Sequence, residues 1–189
     1  PSAVLRDPDL FRDFAHDVEK WATIEKPAAA PKLHVVIPES PGEALRVLEL
    51  LIGASAVSCD IETTGLDPRK DRILSIGFGA AIEGEETYNV IVPIELIRGN
   101  VFSFVKRLIF DEPWKIVFHN IKFDISFLRA MFGWDLTPPH PWDTMLMRYA
   151  QDERGASSSD TGGRSYATMG LKDIARVRWD IENYKFDWG

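Results

Sequence analysis

Val57-Ser58-Cys59-Asp60-Ile61-Glu62-Thr63-Thr64-Gly65-Leu66-Asp67 begins as an apolar strand, yet it carries carboxylates at positions 60 and 62, where a buried strand would carry Val or Ile. Side chains alternate along a strand, so Asp60 and Glu62 point to one face and Ile61 to the other. Two like charges that close repel, and partial burial would raise the pKa of at least one of them. A divalent cation between them removes both difficulties; the competing reading is a strand end that runs into solvent.

The strands and helices around this stretch follow from pattern. Leu33-His34-Val35-Val36-Ile37 reads as a short strand with a structural histidine. Ser40-Pro41-Gly42-Glu43 is a capping box with proline at N1, opening a helix through Ala44, Leu45, Val47, Leu48 and Leu51 that stops at Gly53. The carboxylate strand, near residues 55–62, comes next. After the turn Asp67-Pro68-Arg69, residues 73–79 and 87–92 read as an antiparallel hairpin linked around Gly84, so the first three core strands form a meander. Val101 to Ile109 has helical spacing, with Phe102, Val105 and Leu108 on one side and Lys106 and Arg107 on the other.

Lys115-Ile116-Val117-Phe118 is a β-branched strand that feeds His119-Asn120-Ile121-Lys122-Phe123-Asp124. Here Asn120 is expected as N-cap, and Ile121, Ile125, Leu128 and Phe132 as the buried stripe of a helix. Asp124 then lies in the first helical turn, near the end of a core strand. An acid there is favoured by the helix dipole alone, but it could also converge on Asp60 and Glu62. His119 and Asn120 are secondary candidates for substrate or capping. Beyond Pro138-Pro139-His140-Pro141, Asp143 is expected to cap a helix through Tyr149 rather than to bind metal. Residues 155–164 form a small polar loop whose Gly162-Gly163 lacks the lysine of a phosphate-binding loop, and a last helix is expected from about Met169 to Val177.

At the N-terminus, Asp7-Pro8 starts a short helix carrying Leu10, Phe11, Phe14, Val18 and Trp21, followed by a linker at residues 26–31. With 189 residues, one α/β domain (33–189) preceded by this extension (1–32) is expected. The single cysteine, Cys59, excludes an intramolecular disulfide and fits a reducing compartment. No run approaches transmembrane length, so the chain reads as soluble and cytosolic, without a membrane partner. A net charge of -7 and a pI near 5.1 argue against a broad basic nucleic-acid surface. They leave room for a nuclease whose metal ions neutralise the carboxylates locally.

Asp60-Ile61-Glu62-Thr63-Thr64-Gly65-Leu66-Asp67, Asn120-Ile121-Lys122-Phe123-Asp124 and Asp143-Thr144-Met145-Leu146, in this order and spacing, closely resemble the DEDD superfamily of 3′-to-5′ exonucleases. The nearest likeness is to the proofreading domain of family-A (DNA polymerase I type) polymerases, in a phage-like version. It runs from about Leu33 to the end of the chain. The resemblance implies a ribonuclease-H-like α/β fold, a mixed sheet of an antiparallel meander then parallel strands, flanked by helices.

It further implies a site of two Mg2+ or Mn2+ ions held by Asp60, Glu62 and Asp124, with release of nucleoside 5′-monophosphates from a single-stranded DNA 3′ end. Thr63 and Leu66 would contact the terminal nucleotide, Leu66 as an apolar wedge; Asn120 would position the strand and Phe186 would stack on a base. A polymerase domain of the same parent chain would be the partner, in a monomer working in bacterial or phage-infected host cytosol. The family's third motif, with a tyrosine or histidine and a fourth carboxylate, is not matched by Tyr149 with Glu153 or by Tyr184 with Asp187. The likeness would place it just past Gly189, so residues 1–189 alone are expected to be weak or inactive. Two alternatives stay open: a non-catalytic strand-binding or structural module of a polymerase, and a ribonuclease-D-like RNA exonuclease.

Overall fold

The computed structural model describes residues 18, 32–82, 86–110, 115–135, 141–151, 170 and 171. Six strands form one sheet: β1 (Lys32–Val36), β2 (Ala56–Thr63), β3 (Ile73–Ile82), β4 (Glu86–Pro93), β5 (Lys115–Phe118) and β6 (Trp142–Asp143), in the order β1-β4-β3-β2-β5-β6. Among the described residues it is accompanied by the helices α1 (Pro41–Glu49), α2 (Gly99–Phe110), α3 (Ile121–Phe132) and α4 (Thr144–Gln151).

The expected meander is present, with β2 antiparallel to β3 and β3 to β4. Both flanks are parallel. β1 closes one edge against β4, and β5 lies beside β2 with the two-residue β6 beyond it. Local pattern could not place β1 beside β4, because the two are joined only through α1 and the whole meander. β6 was not expected either, since the sequence there reads as a turn and a helix cap.

Alternation along β2 sends Val57, Cys59 and Ile61 into the core and leaves Ser58, Asp60 and Glu62 on the other face. The buried residues meet Ile76, Phe78 and Ala80 of β3 and Val90 and Val92 of β4 in one core with Leu48 of α1, Val105 of α2 and Leu128 of α3. Trp134, just past α3, packs its ring 5.1 Å from that of Phe102 and so ties α2 to the end of α3.

At the end of β2 the register slips. Glu62 lies opposite Ser75 but Thr63 opposite Ile73, so Leu74 is an extra residue on β3. The slip turns Ile73 and Ile76, three positions apart, both into the core, and it leaves Leu74 exposed.

Ser40 caps α1 by accepting from Glu43 N–H at 3.2 Å, as the capping box requires, while Glu43 reaches back to Glu39 N–H at 2.9 Å. The helix ends at Glu49 rather than running on toward Gly53, which takes the left-handed conformation (φ 98°) in the following turn. His34 is structural as expected, stacked on Tyr88 with ring centroids 4.5 Å apart. Among the described residues, no helix is long and apolar enough to cross a membrane. Of the N-terminal helix only Val18 is described; it is helical and exposed. The linker at 26–31, the hairpin link at Gly84, the loop at 155–164, Phe186 and all but Gly170 and Leu171 of the last expected helix lie outside the described residues.

Candidate active site

β2 and β5 run parallel and pair only over Ala56–Ser58 and Lys115–Val117. Past that pairing, β2 continues into Asp60-Ile61-Glu62, while β5 ends at Phe118 and turns through His119-Asn120 into α3. The carboxyl ends of adjacent parallel strands are where open α/β sheets leave a crevice. Asp60 from β2 and Asp124 from the first turn of α3 come together at this end of the sheet.

Asp124 is 1% exposed, and among the described residues its Oδ1 has no hydrogen-bond partner. Burial first, then the charge of Asp60 and that of Asp143, push its carboxyl pKa up to about 7, against a smaller pull downward from its own N–H and that of Ile61. Asp60 is more open to solvent, yet enough protein surrounds its carboxyl for desolvation to raise its pKa; the Ile61 N–H and His119 work the other way. Two oxyanions thus meet where one is buried and short of a partner, an arrangement that favours a cation. Hard carboxylate oxygens fit a hard divalent metal.

Glu62 follows two residues along the same face of β2 and is exposed. Among the described residues no three His, Cys, Asp or Glu side chains gather closely enough to hold a metal ion by themselves. The structure therefore brings Asp60 and Asp124 together and leaves Glu62 beside them on the strand.

The helix stripe differs from the expected one. Ile121, Asp124, Phe127 and Leu128 are the buried residues of α3, whereas Ile125 and Phe132 are half-buried. Asp124 thus sits on the apolar face, three residues after Ile121 and three before Phe127, and this burial removes its solvation.

The expected capping by Asn120 is also replaced. Asn120 occupies the N-cap position of α3 in the left-handed conformation (φ 63°), and its side chain makes no cap bond. Asp143 does the work instead. Its Oδ1 accepts from Asn120 N–H at 3.1 Å and its Oδ2 from Ile121 N–H at 3.1 Å, while Oδ1 also accepts from Met145 N–H at 2.8 Å and Leu146 N–H at 3.3 Å. The expected cap of α4 is therefore present, and the same carboxylate caps α3 as well. A carboxylate between two helix N-termini is stabilised by both dipoles, which explains why Asp143 is buried without a cationic partner among the described residues.

His119 joins the same junction. Thr144 Oγ1 donates to the Phe118 carbonyl at 3.1 Å and lies 2.9 Å from His119 Nδ1. The hydroxyl has one proton, already committed to the carbonyl, so Nδ1–H must be the donor and Nε2 is left free of the proton in the neutral ring. The sequence offered no sign of this pairing, since 25 residues separate the partners.

The strand then leaves the sheet through Thr63, half-buried, whose hydroxyl donates to Gly65 O at 2.7 Å. Leu66 is 84% exposed at the tip of the following loop. Cys59 is buried beneath the carboxylates, and desolvation with the charges of Asp124 and Asp60 holds its thiol well above the ordinary range.

Comparison with known proteins agrees with this geometry. A family model described as 3′-5′ exonuclease, of the A-type DNA polymerases, matches residues 35–184. The DNA polymerase of Escherichia phage T5 is 29% identical over 145 residues, covering 75% of this chain and 15% of the polymerase. The chain thus spans less than a sixth of that relative's length. Among solved structures, Escherichia coli RNase D, an exoribonuclease, is similar with a TM-score of 0.56 at 13% identity, over 78% of this chain and 34% of that one. Brucella melitensis NrnC with bound Mg2+ has a TM-score of 0.51 at 20% identity, over 83% of this chain and 65% of that one. These two likenesses establish the shared ribonuclease-H-like fold.

Proposed function

Since the chain belongs to the 3′-5′ exonuclease family of A-type DNA polymerases, we propose that it trims the 3′ end of single-stranded DNA by metal-assisted hydrolysis, proofreading for a polymerase module of the same parent protein. The observation that carries this reading is the buried, unpartnered Oδ1 of Asp124 beside Asp60 at the end of β2. Without a cation a buried carboxylate next to another is a cost to the fold, and a purely structural domain has no need of it.

Asp60, Glu62 and Asp124 would hold Mg2+ or Mn2+, as two ions. Metal bound there would supply a more acidic attacking water and offset charge on the leaving 3′-oxygen, and the expected product is a nucleoside 5′-monophosphate. The protein's own share is to present ionised oxygens. Asp60 and Asp124 bind best once both are deprotonated, so activity rises with pH as Asp124 loses its proton. Leu66 offers an apolar surface to the terminal base, with Thr63 at the foot of the same loop. Asn120, whose side chain makes no hydrogen bond among the described residues, is free to contact the strand, and Phe186 would add a stacking surface. His119 is tied to the start of α4 through Nδ1 and Thr144, which fixes its ring at the turn between β5 and α3.

The fold shared with RNase D keeps an RNA 3′ end as the second reading. The test is release of mononucleotides from 3′-labelled DNA and RNA strands by the full protein, with Mg2+ or Mn2+ present and with Asp60→Ala as control. Metal-dependent release from DNA, lost in the variant, is expected. Preference for RNA would favour the second reading, and strand binding with no release in any metal would make the domain a non-catalytic module.

A further inference from the structure

We propose that Asp71 is a positioning residue that holds Leu66 out as a preset apolar finger against the base of the 3′-terminal nucleotide. The inference rests on the strand-end reading above and adds to it the part that aims the finger.

A leucine left in water forgoes the gain of burial, so a slack loop would fold it down onto the protein. The loop from Thr64 to Asp71 is not slack. Its ends are closed by Thr64 N–H to Arg72 O at 3.0 Å and Arg72 N–H to Thr64 Oγ1 at 3.1 Å. Inside it, the Asp71 carboxylate accepts from the Thr64 hydroxyl at 3.2 Å through Oδ1 and from Asp67 N–H at 2.9 Å through Oδ2. The Asp67 carbonyl in turn accepts from Lys70 and Asp71 N–H at 2.9 and 2.8 Å.

Gly65 completes the brace. A Cβ at that position would lie 2.5 Å from Asp71 Oδ2 and 2.7 Å from Oδ1, so the carboxylate is seated against the glycine backbone. Gly65 and Asp67, the two neighbours of Leu66, are therefore both held by one side chain, while Leu66 itself projects from the loop. A contact surface fixed before binding avoids the ordering cost that a mobile loop would meet on binding. The brace also starts at Thr63, whose hydroxyl bonds to Gly65 O, so the loop is referenced to the strand that carries Asp60 and Glu62.

The test uses the full protein and a single-stranded DNA oligonucleotide ending in 2-aminopurine, in calcium without magnesium or manganese, and reads affinity together with the fluorescence of the unstacked terminal base. Wild type is expected to bind with brightening. Leu66→Ala should lose the brightening and bind about five- to tenfold more weakly, the size expected for one apolar contact. Asp71→Ala and Gly65→Ala should each reproduce that loss, the second with Asp71 still present, and Asp71→Asn should fall between.

The double variant Leu66→Ala/Asp71→Ala should bind no more weakly than Leu66→Ala alone, because Asp71 acts only through Leu66. Full brightening in Asp71→Ala, or a double variant weakened by both losses in succession, would overturn the inference and leave Asp71 a loop-closing residue. If wild type neither binds nor brightens the probe and releases no mononucleotide in magnesium, the strand-end reading itself fails, and this inference with it.

Discussion

The Asp143 carboxylate accepts the main-chain N–H of Ile121 at 3.1 Å, so a residue 22 positions downstream caps the helix that carries Asp124. The same carboxylate starts its own helix through Met145 and Leu146. The position of Asp124 therefore depends on a side chain from another element, β6.

Asp143→Ala is expected to destabilise the protein by about 2–4 kcal/mol, two helix caps at about 1–2 kcal/mol each. Denaturant unfolding measures this. Activity should fall along with stability, because the α3 N-terminus that aims Asp124 is released. Asp143→Asn, with one oxygen left to accept, should lose less of both.

Asp124→Asn should do the opposite to stability. The Asp124 carboxyl titrates near 7 in the fold against an ordinary 3.8. Between about pH 4 and 7 the folded state therefore keeps a proton that the unfolded chain has released. Raising the pH through that window weakens the metal-free fold, by at most about 4 kcal/mol, and the loss is complete above 7. Replacing the carboxylate removes the slope, so metal-free Asp124→Asn should be more stable than wild type at pH 8 and nearly equal at pH 4, while hydrolysis is abolished. Paired thermal melts at the two pH values check it.

Divalent metal should reverse the wild-type slope. A cation stabilises the fold in proportion to the ionised carboxylates it finds, so Mg2+ or Mn2+ should raise the melting temperature by several degrees at pH 8 and by little at pH 5. Asp60→Ala should cancel the rise at both. A metal-induced shift of equal size at pH 5 and pH 8 would contradict the placement of Asp124.

Thr144→Val tests the His119 junction. The change removes the acceptor for Nδ1–H and leaves the Phe118 carbonyl without its donor, at about 1–2 kcal/mol. Nitrogen-15 NMR of the histidine ring should find the proton on Nδ1 in wild type and move it largely to Nε2 in the variant, the usual preference of a free imidazole.

Much of the site was legible because its signals are local. Asp60 and Glu62 share a face by strand alternation, and the meander follows from the hairpin pattern. The burial of Asp124 is open to view as well, in its spacing of three from Ile121 and three from Phe127, but the apolar residues Ile125 and Phe132 draw the expected stripe to one side of it. What could not be read is what the chain makes at a distance. Asn120 has the composition of a cap, yet its left-handed backbone turns the task over to Asp143, 23 residues away. The pairing of β1 with β4 and the slip at Leu74 likewise arise from sheet closure, and no run of neighbouring residues records them. The brace of Leu66 by Asp71 lies between these cases: the residues are near in sequence, but nothing in their types says that the carboxylate rests on Gly65.

Cys59 gives the molecule a built-in clock. The only sulfhydryl in the chain sits in the central strand, held protonated by its burial first and then by the charges of Asp124 and Asp60. A thiol reagent reaches it only when β2 separates from its neighbours, because thiolate formation and access both require that opening. The rate of labelling under native conditions thus reports how often the strand bearing Asp60 comes loose. A cation bound at the carboxylates should slow that rate without touching the sulfur.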